Sequence, residues 1–189
     1  MSVVKSQSAR YLALHSDHAV ARIFWISTFA LLTAVGAQIE IPVKPVPYTL
    51  QTLFVLLAGG LLGARQGFLS MFAYLMLGFL GLPVFASGGF GPATLLGPTG
   101  GYLLAFPVAA FVVGIIVEKN EHVLWTTVAM ITGLLVIFTA GTIQLAAVTG
   151  MSLREAFAGG FLIFSWWDLL KLGAAIAIYR QLRMKAGSV

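Results

Sequence analysis

No cysteine occurs anywhere in the 189 residues, which rules out a disulfide framework and any thiolate metal site. Charge is almost as scarce, at 9% of residues against about a quarter in an ordinary soluble domain. The three histidines, His15, His18 and His122, lie outside the long apolar runs. That leaves no membrane-embedded histidine pair to hold a metal and no Ser–His dyad for proteolysis within a bilayer. No Gly-x-x-x-x-Gly-Lys-Ser/Thr sequence is present, so the chain has no P-loop with which to hydrolyse a nucleotide. The reading is therefore not an enzyme: no catalytic residue, metal or cofactor is assigned. What the chain has in plenty is apolar side chains, 59% of the total, with a mean hydropathy of +0.97. This is the composition of a membrane protein. The net charge of +5 does not point to nucleic acid, because the basic residues flank apolar segments and form no patch.

Six apolar segments are predicted, at about 21–39, 49–62, 66–80, 100–117, 123–148 and 165–182. The second and third are short for spans and meet at Gly63-Ala-Arg-Gln-Gly67, which predicts a tight helical hairpin. Pro42, Pro45 and Pro47 force an extended connection after the first helix. Residues 81–99 are rich in Gly and Pro and carry no charge, so this loop is expected to fold back into the protein. The fold class that follows is an all-α membrane protein, a six-transmembrane-helix bundle in the bilayer. Residues 1–20 read as a cytoplasmic N-terminal tail without the apolar core of a signal peptide, 21–183 as the membrane domain and 184–189 as a cytoplasmic C-terminal tail. With both termini inside, Lys5, Arg10, Arg22, Arg65, Lys119, Arg180, Arg183 and Lys185 are cytoplasmic and only Lys44 and Arg154 external. The expected location is the cytoplasmic (inner) cell membrane.

Asp168 and Lys171 stand in the otherwise apolar run 161–179. Residues three apart share a helix face, and a charge at the centre of a span costs about 2.5–3.5 kcal/mol on insertion scales. Such residues usually line a cavity or pathway; the alternative is an ion pair that locks two helices. Trp166 and Trp167 suit the outer interface, so the polar pocket is expected to open outward. Ser165 and Asp168 also form a capping-box-like Ser-x-x-Asp at the helix start. A small polytopic chain with a pocket and no engine reads as a substrate-capturing subunit driven by partners.

Three blocks carry a resemblance. They are Pro45-Val-Pro-Tyr-Thr-Leu-Gln-Thr52 continuing to Gly63, Tyr74-Leu-Met-Leu-Gly-Phe-Leu-Gly-Leu-Pro-Val-Phe85, and Leu96-Gly-Pro-Thr-Gly-Gly-Tyr-Leu-Leu104. In this order they resemble BioY, the biotin-binding S component of energy-coupling factor (ECF) transporters, over about residues 25–182. The family's last block, Pro-Gly-Asp-x-x-Lys, reads Trp166-Trp-Asp-Leu-Leu-Lys171 here, keeping the acid and the base. The resemblance implies the six-helix S-component fold, biotin near the outer face, and a transmembrane T component with two cytoplasmic ATPase subunits as partners. A self-sufficient small-solute carrier and an S component for another vitamin are the competing readings.

Biotin offers a ureido group with two N–H donors and one carbonyl, and a carboxylate on a flexible tail. Asp168 can accept from the ureido N–H groups, while Lys171 can donate to the ureido oxygen or to the carboxylate. Gly97, Thr99, Gly100, Gly101 and Tyr102 form a loop whose glycines allow close backbone approach and whose N–H groups favour an anion such as the carboxylate; a simple loop-to-helix junction is the other reading. Tyr102 stacks on ligand or packs in the bundle. Gln51 hydrogen-bonds ligand or another helix, and Tyr48 and Phe85 are candidate apolar walls or belt residues. On the first helix Ala30 and Ala34 make a small-xxx-small pair, which the residues alone favour as packing within the bundle and which the resemblance assigns to docking the T component. Arg154 and Glu155 read as a solvated pair.

Overall fold

The computed structural model describes residues 19–120, 122–162 and 166–187. Its helices are α1 (Ala19–Gln38), α2 (Gln51–Phe79), α3 (Gly91–Leu96), α4 (Gly100–Lys119), α5 (Val123–Thr149), α6 (Leu153–Ala156) and α7 (Trp166–Gly187), with a π-helical turn over Phe157–Phe161. Two short antiparallel strands, β1 (Glu40–Ile41) and β2 (Tyr48–Thr49), pair Glu40 with Thr49 and Ile41 with Tyr48 across the proline-rich connection. The protein is all-helical apart from this clasp.

α2 is a hairpin. Gly63 has φ 80° and ψ 179°, a region open essentially to glycine alone, and the helix reverses there. The limbs close tightly enough that a Cβ on Gly67 would lie 3.0 Å from the Cα of Gly59. The side chain of Gln51 likewise bonds that of Tyr74, although a straight helix would separate them by about 34 Å. α4 crosses the tip of this hairpin. A Cβ on Gly114 would come within 2.2 Å of the Ala64 nitrogen, so the crossing needs glycine at that point. Glu118, one turn further along α4, accepts the Ala64 N–H at 2.8 Å and caps the second limb.

Four helices among the described residues, α1, α2, α4 and α5, are long and apolar enough to cross a membrane, α2 reaching that length only by counting through its reversal. Its limbs measure about 18 and 24 Å, short against a hydrocarbon core of about 30 Å. α2 and α4 are central, with 67% of their most apolar windows buried, whereas α1 is peripheral at 22%. α1 lies on α2, α5 on α4, and α7 against α2 and α5. The core between them is apolar, with Leu56, Val113, Met130, Leu134 and Ile137 almost fully enclosed. Ile23, Phe24, Leu31 and Val35 of α1 face outward.

The apolar loop does fold back in part. Phe85 and Leu95 are buried and a 3-10 turn covers Ala86–Gly88, while Leu82, Phe90 and Leu96 stay exposed. One reading from the sequence requires correction. Glu155 is no partner of Arg154: its carboxylate accepts from the Ser152 N–H and hydroxyl in a capping box at the start of α6, which holds its pKa below the usual value. Ala30 is 1% exposed and packs inside the chain's own bundle, and Ala34 is half-buried. Ser165, the expected cap of α7, lies outside the described residues.

Candidate functional site

α7 presents Asp168 and Lys171 inward, 2% and 5% exposed, at the end of the bundle where the β clasp and the loop 80–99 close over it. The Lys171 ammonium lies 2.6 Å from Asp168 Oδ1 and donates to the Thr49 carbonyl at 2.9 Å. Two of its three N–H donors are thus occupied and one remains. Asp168 Oδ2 is buried and accepts nothing from the described residues. Burying an ion pair is costly, and an unfilled carboxylate oxygen adds to that cost unless something else supplies a donor.

The polar wall continues through β2 into α2. The Thr49 hydroxyl donates to Gln51 Oε1 at 2.8 Å, Gln51 Nε2 donates to the Tyr74 hydroxyl, and Tyr74 donates to the Val84 carbonyl at 3.0 Å. This chain ties the clasp, both limbs of the hairpin and the following loop together. Phe85 then packs edge-on against Tyr74, with ring centroids 5.5 Å apart, and Gln38 of α1 donates to its carbonyl.

These groups border a cavity of about 660 Å³, counted to its open mouth. Its floor and sides are apolar, from Val46 and Pro47 of the clasp, Leu103 and Phe106 of α4, and Ile137 and Phe138 of α5. Seven of the residues singled out from the sequence meet here: Tyr48, Gln51, Phe85, Thr99, Tyr102, Asp168 and Lys171. Tyr102 both lines the cavity and braces it, edge-on to Phe138 with its hydroxyl donating to the Gly160 carbonyl at 3.0 Å. Gln51 is engaged by protein at both ends of its amide and keeps one N–H.

Gly97, Gly100 and Gly101 do not line the cavity. Their lack of side chains serves packing: a Cβ on Gly100 would overlap the Leu95 carbonyl and one on Gly101 would press on Ala140 of α5. Gln144 of α5 reaches over to donate to the carbonyls of Leu95 and Gly97. At this corner Thr99 and Tyr102 are what the cavity meets. Thr49, Thr52 and Tyr74 were not foreseen. Threonine and tyrosine are ordinary in apolar segments, and only the fold-back at Gly63 brings Tyr74 beside Gln51.

The family model described as the BioY family matches residues 6–187. The chain belongs to the BioY family. Among its curated relatives, the biotin transporter BioY of Thermotoga maritima is 43% identical over 155 residues, covering 82% of this chain and 91% of that protein. A probable biotin transporter BioY of Pyrococcus horikoshii is 44% identical over 158 residues, covering 84% and 93%. A crystal structure of the S component for biotin from an ECF-type ABC transporter superposes with a TM-score of 0.82 at 28% identity, covering 87% of this chain and 92% of that one.

Proposed function

We propose that this chain captures biotin at the outer side of the cell membrane and serves its uptake as the substrate-binding S component of an ECF-type transporter. One observation carries the reading: a buried carboxylate oxygen with no partner, Asp168 Oδ2, beside a lysine with one free N–H, in a cavity whose other walls are largely apolar. A ureido group supplies N–H donors to the first and a carbonyl acceptor to the second, and the fused rings suit the apolar walls. The tail carboxylate then extends toward Thr99 and the N-terminus of α4, where helix N–H groups favour an anion. The relatives named as biotin transporters support the same ligand.

The six-span topology with cytoplasmic termini belongs to this reading. It counts α1, the two limbs of α2, α4, α5 and α7 as the spans, with residues 1–20 and 184–189 as tails. The T component and two ATPase subunits belong to it as well, since the chain has no nucleotide motif of its own. With Ala30 buried, docking falls to the outward face of α1, near Ala34, Leu31 and Val35. The test is direct binding. The purified chain in detergent, without ATP or partners, retains radiolabelled biotin; protein that holds none would end the reading. Copurification of ATPase subunits separates it from a self-sufficient carrier.

A further inference from the structure

Six threonine hydroxyls among the described residues are satisfied within their own helix, while those of Thr52, Thr126 and Thr142 are buried without a partner, and of these three only Thr52 lines the cavity. Those of Thr28, Thr33, Thr94, Thr127, Thr132 and Thr149 turn back to the carbonyl four residues earlier. Thr52 has no such outlet. It is the second residue of α2, and the residue four before it, Tyr48, belongs to β2. Its hydroxyl oxygen is buried without a hydrogen-bond partner, and the residue lines the cavity. Among the described residues lining the cavity, only two buried side-chain oxygens lack a partner, and Asp168 Oδ2 is the other.

Three acceptors of the polar wall already hold a donor from the protein. Gln51 Oε1 accepts from the Thr49 hydroxyl, the Thr49 hydroxyl accepts from the Gln51 N–H, and the Thr49 carbonyl accepts from Lys171. We propose that Thr52 reads the ligand's head group directly. Its hydroxyl accepts one N–H of a cyclic urea, Asp168 Oδ2 accepts the other, and the free N–H of Lys171 meets the urea oxygen. This rests on the biotin reading, and what carries it is that Thr52 Oγ1 and Asp168 Oδ2 are the two buried, unpartnered oxygens on the cavity wall among the described residues, matching the two N–H donors of the urea. Specificity follows, because a head group lacking either N–H leaves a buried oxygen unpaired, which binding sites penalise heavily.

Valine has the shape of threonine without the hydroxyl, which gives the test two readouts of opposite sign. Thr52→Val removes an unsatisfied buried group, so the thermal stability of the ligand-free protein holds or rises. The same variant binds biotin about tenfold more weakly, and Thr52→Ser, which keeps the hydroxyl, stays near wild type. Of the two biotins methylated at a single ureido nitrogen, one loses its sensitivity to the Val change, because its contact to Thr52 is already gone. Wild-type affinity in Thr52→Val overturns the inference and leaves the biotin reading standing. A Ser variant that falls as far as Val overturns it too, since the hydroxyl would not be the cause. A wild-type protein that retains no biotin removes both.

Discussion

Asp168 and Lys171 divide one polar task between them, and the geometry predicts how each fails. Asp168→Ala removes the acceptor for a ureido N–H and leaves Lys171 with only the Thr49 carbonyl. Losing a buried charge-assisted contact costs roughly 2–5 kcal/mol, a factor of about thirty or more in affinity. Biotin and a carboxyl-blocked biotin amide, measured side by side by calorimetry, should weaken equally. Lys171→Ala should also weaken both alike if its free N–H meets the ureido oxygen; a loss confined to the free acid would place the tail at Lys171 and reverse the ligand. The pair was legible in the sequence because a charge in an apolar run is costly and therefore conspicuous. Thr52 and Tyr74 were not, since neither residue type is unusual there. Of the two roles open to Gln51, a bond to ligand or to another helix, the structure shows the second: its amide holds Thr49 and, across the hairpin, Tyr74.

Single glycines fix how the elements meet. Gly63 permits the reversal of α2, and Gly114 lets α4 cross the hairpin tip at backbone contact. Gly114→Ala must push a methyl into the Ala64 backbone and should cost about 1–3 kcal/mol, as overpacking typically does. Gly173 on α7 has nothing within 4 Å of where its Cβ would stand, so Gly173→Ala is the control and should be neutral or slightly stabilising. Thermal unfolding of both variants in detergent checks the contrast; equal melting temperatures would mean that the tip crossing is looser than drawn. Helix positions were legible from hydropathy, and the hairpin from Gly63 and Gly67. The inward face of each helix was not. A helix apolar all round gives no sign of which side meets protein and which meets lipid, so for Ala30 only its small size favoured the core, against the docking role that the resemblance implied. The capping box at Ser152 was missed because two charged neighbours, Arg154 and Glu155, suggested a simpler pairing.

The whole molecule is polar at its two ends for different reasons. The cavity, the β clasp and Lys44 and Arg154 share one end, while Arg22, Arg65, Lys119, Arg180 and Arg183 mark the other. Positive charge is retained on the cytoplasmic side of short loops, so the cavity end should face outward. The absence of cysteine makes this simple to test, because each introduced thiol is the only one present. Lys44→Cys and Arg154→Cys should react with a membrane-impermeant maleimide on intact cells. Arg65→Cys and Lys119→Cys should react only after the membrane is opened. All four side chains are exposed, so a failure to label reports sidedness and not burial. The six-span count is at stake in the same experiment. If α2 entered and left the membrane on one face without its hairpin tip reaching the far side, Arg65→Cys would label together with Lys44→Cys, and α1 and α4 would be joined by a re-entrant element. Labelling of Arg65→Cys from inside requires both limbs to cross, despite their length of about 18 and 24 Å, and the bilayer must thin or the limbs' ends must be shielded by α4 to allow it. Glu118 on the Ala64 N–H and Gly114 against the Ala64 backbone supply that shielding, since they satisfy and cover the exposed turn.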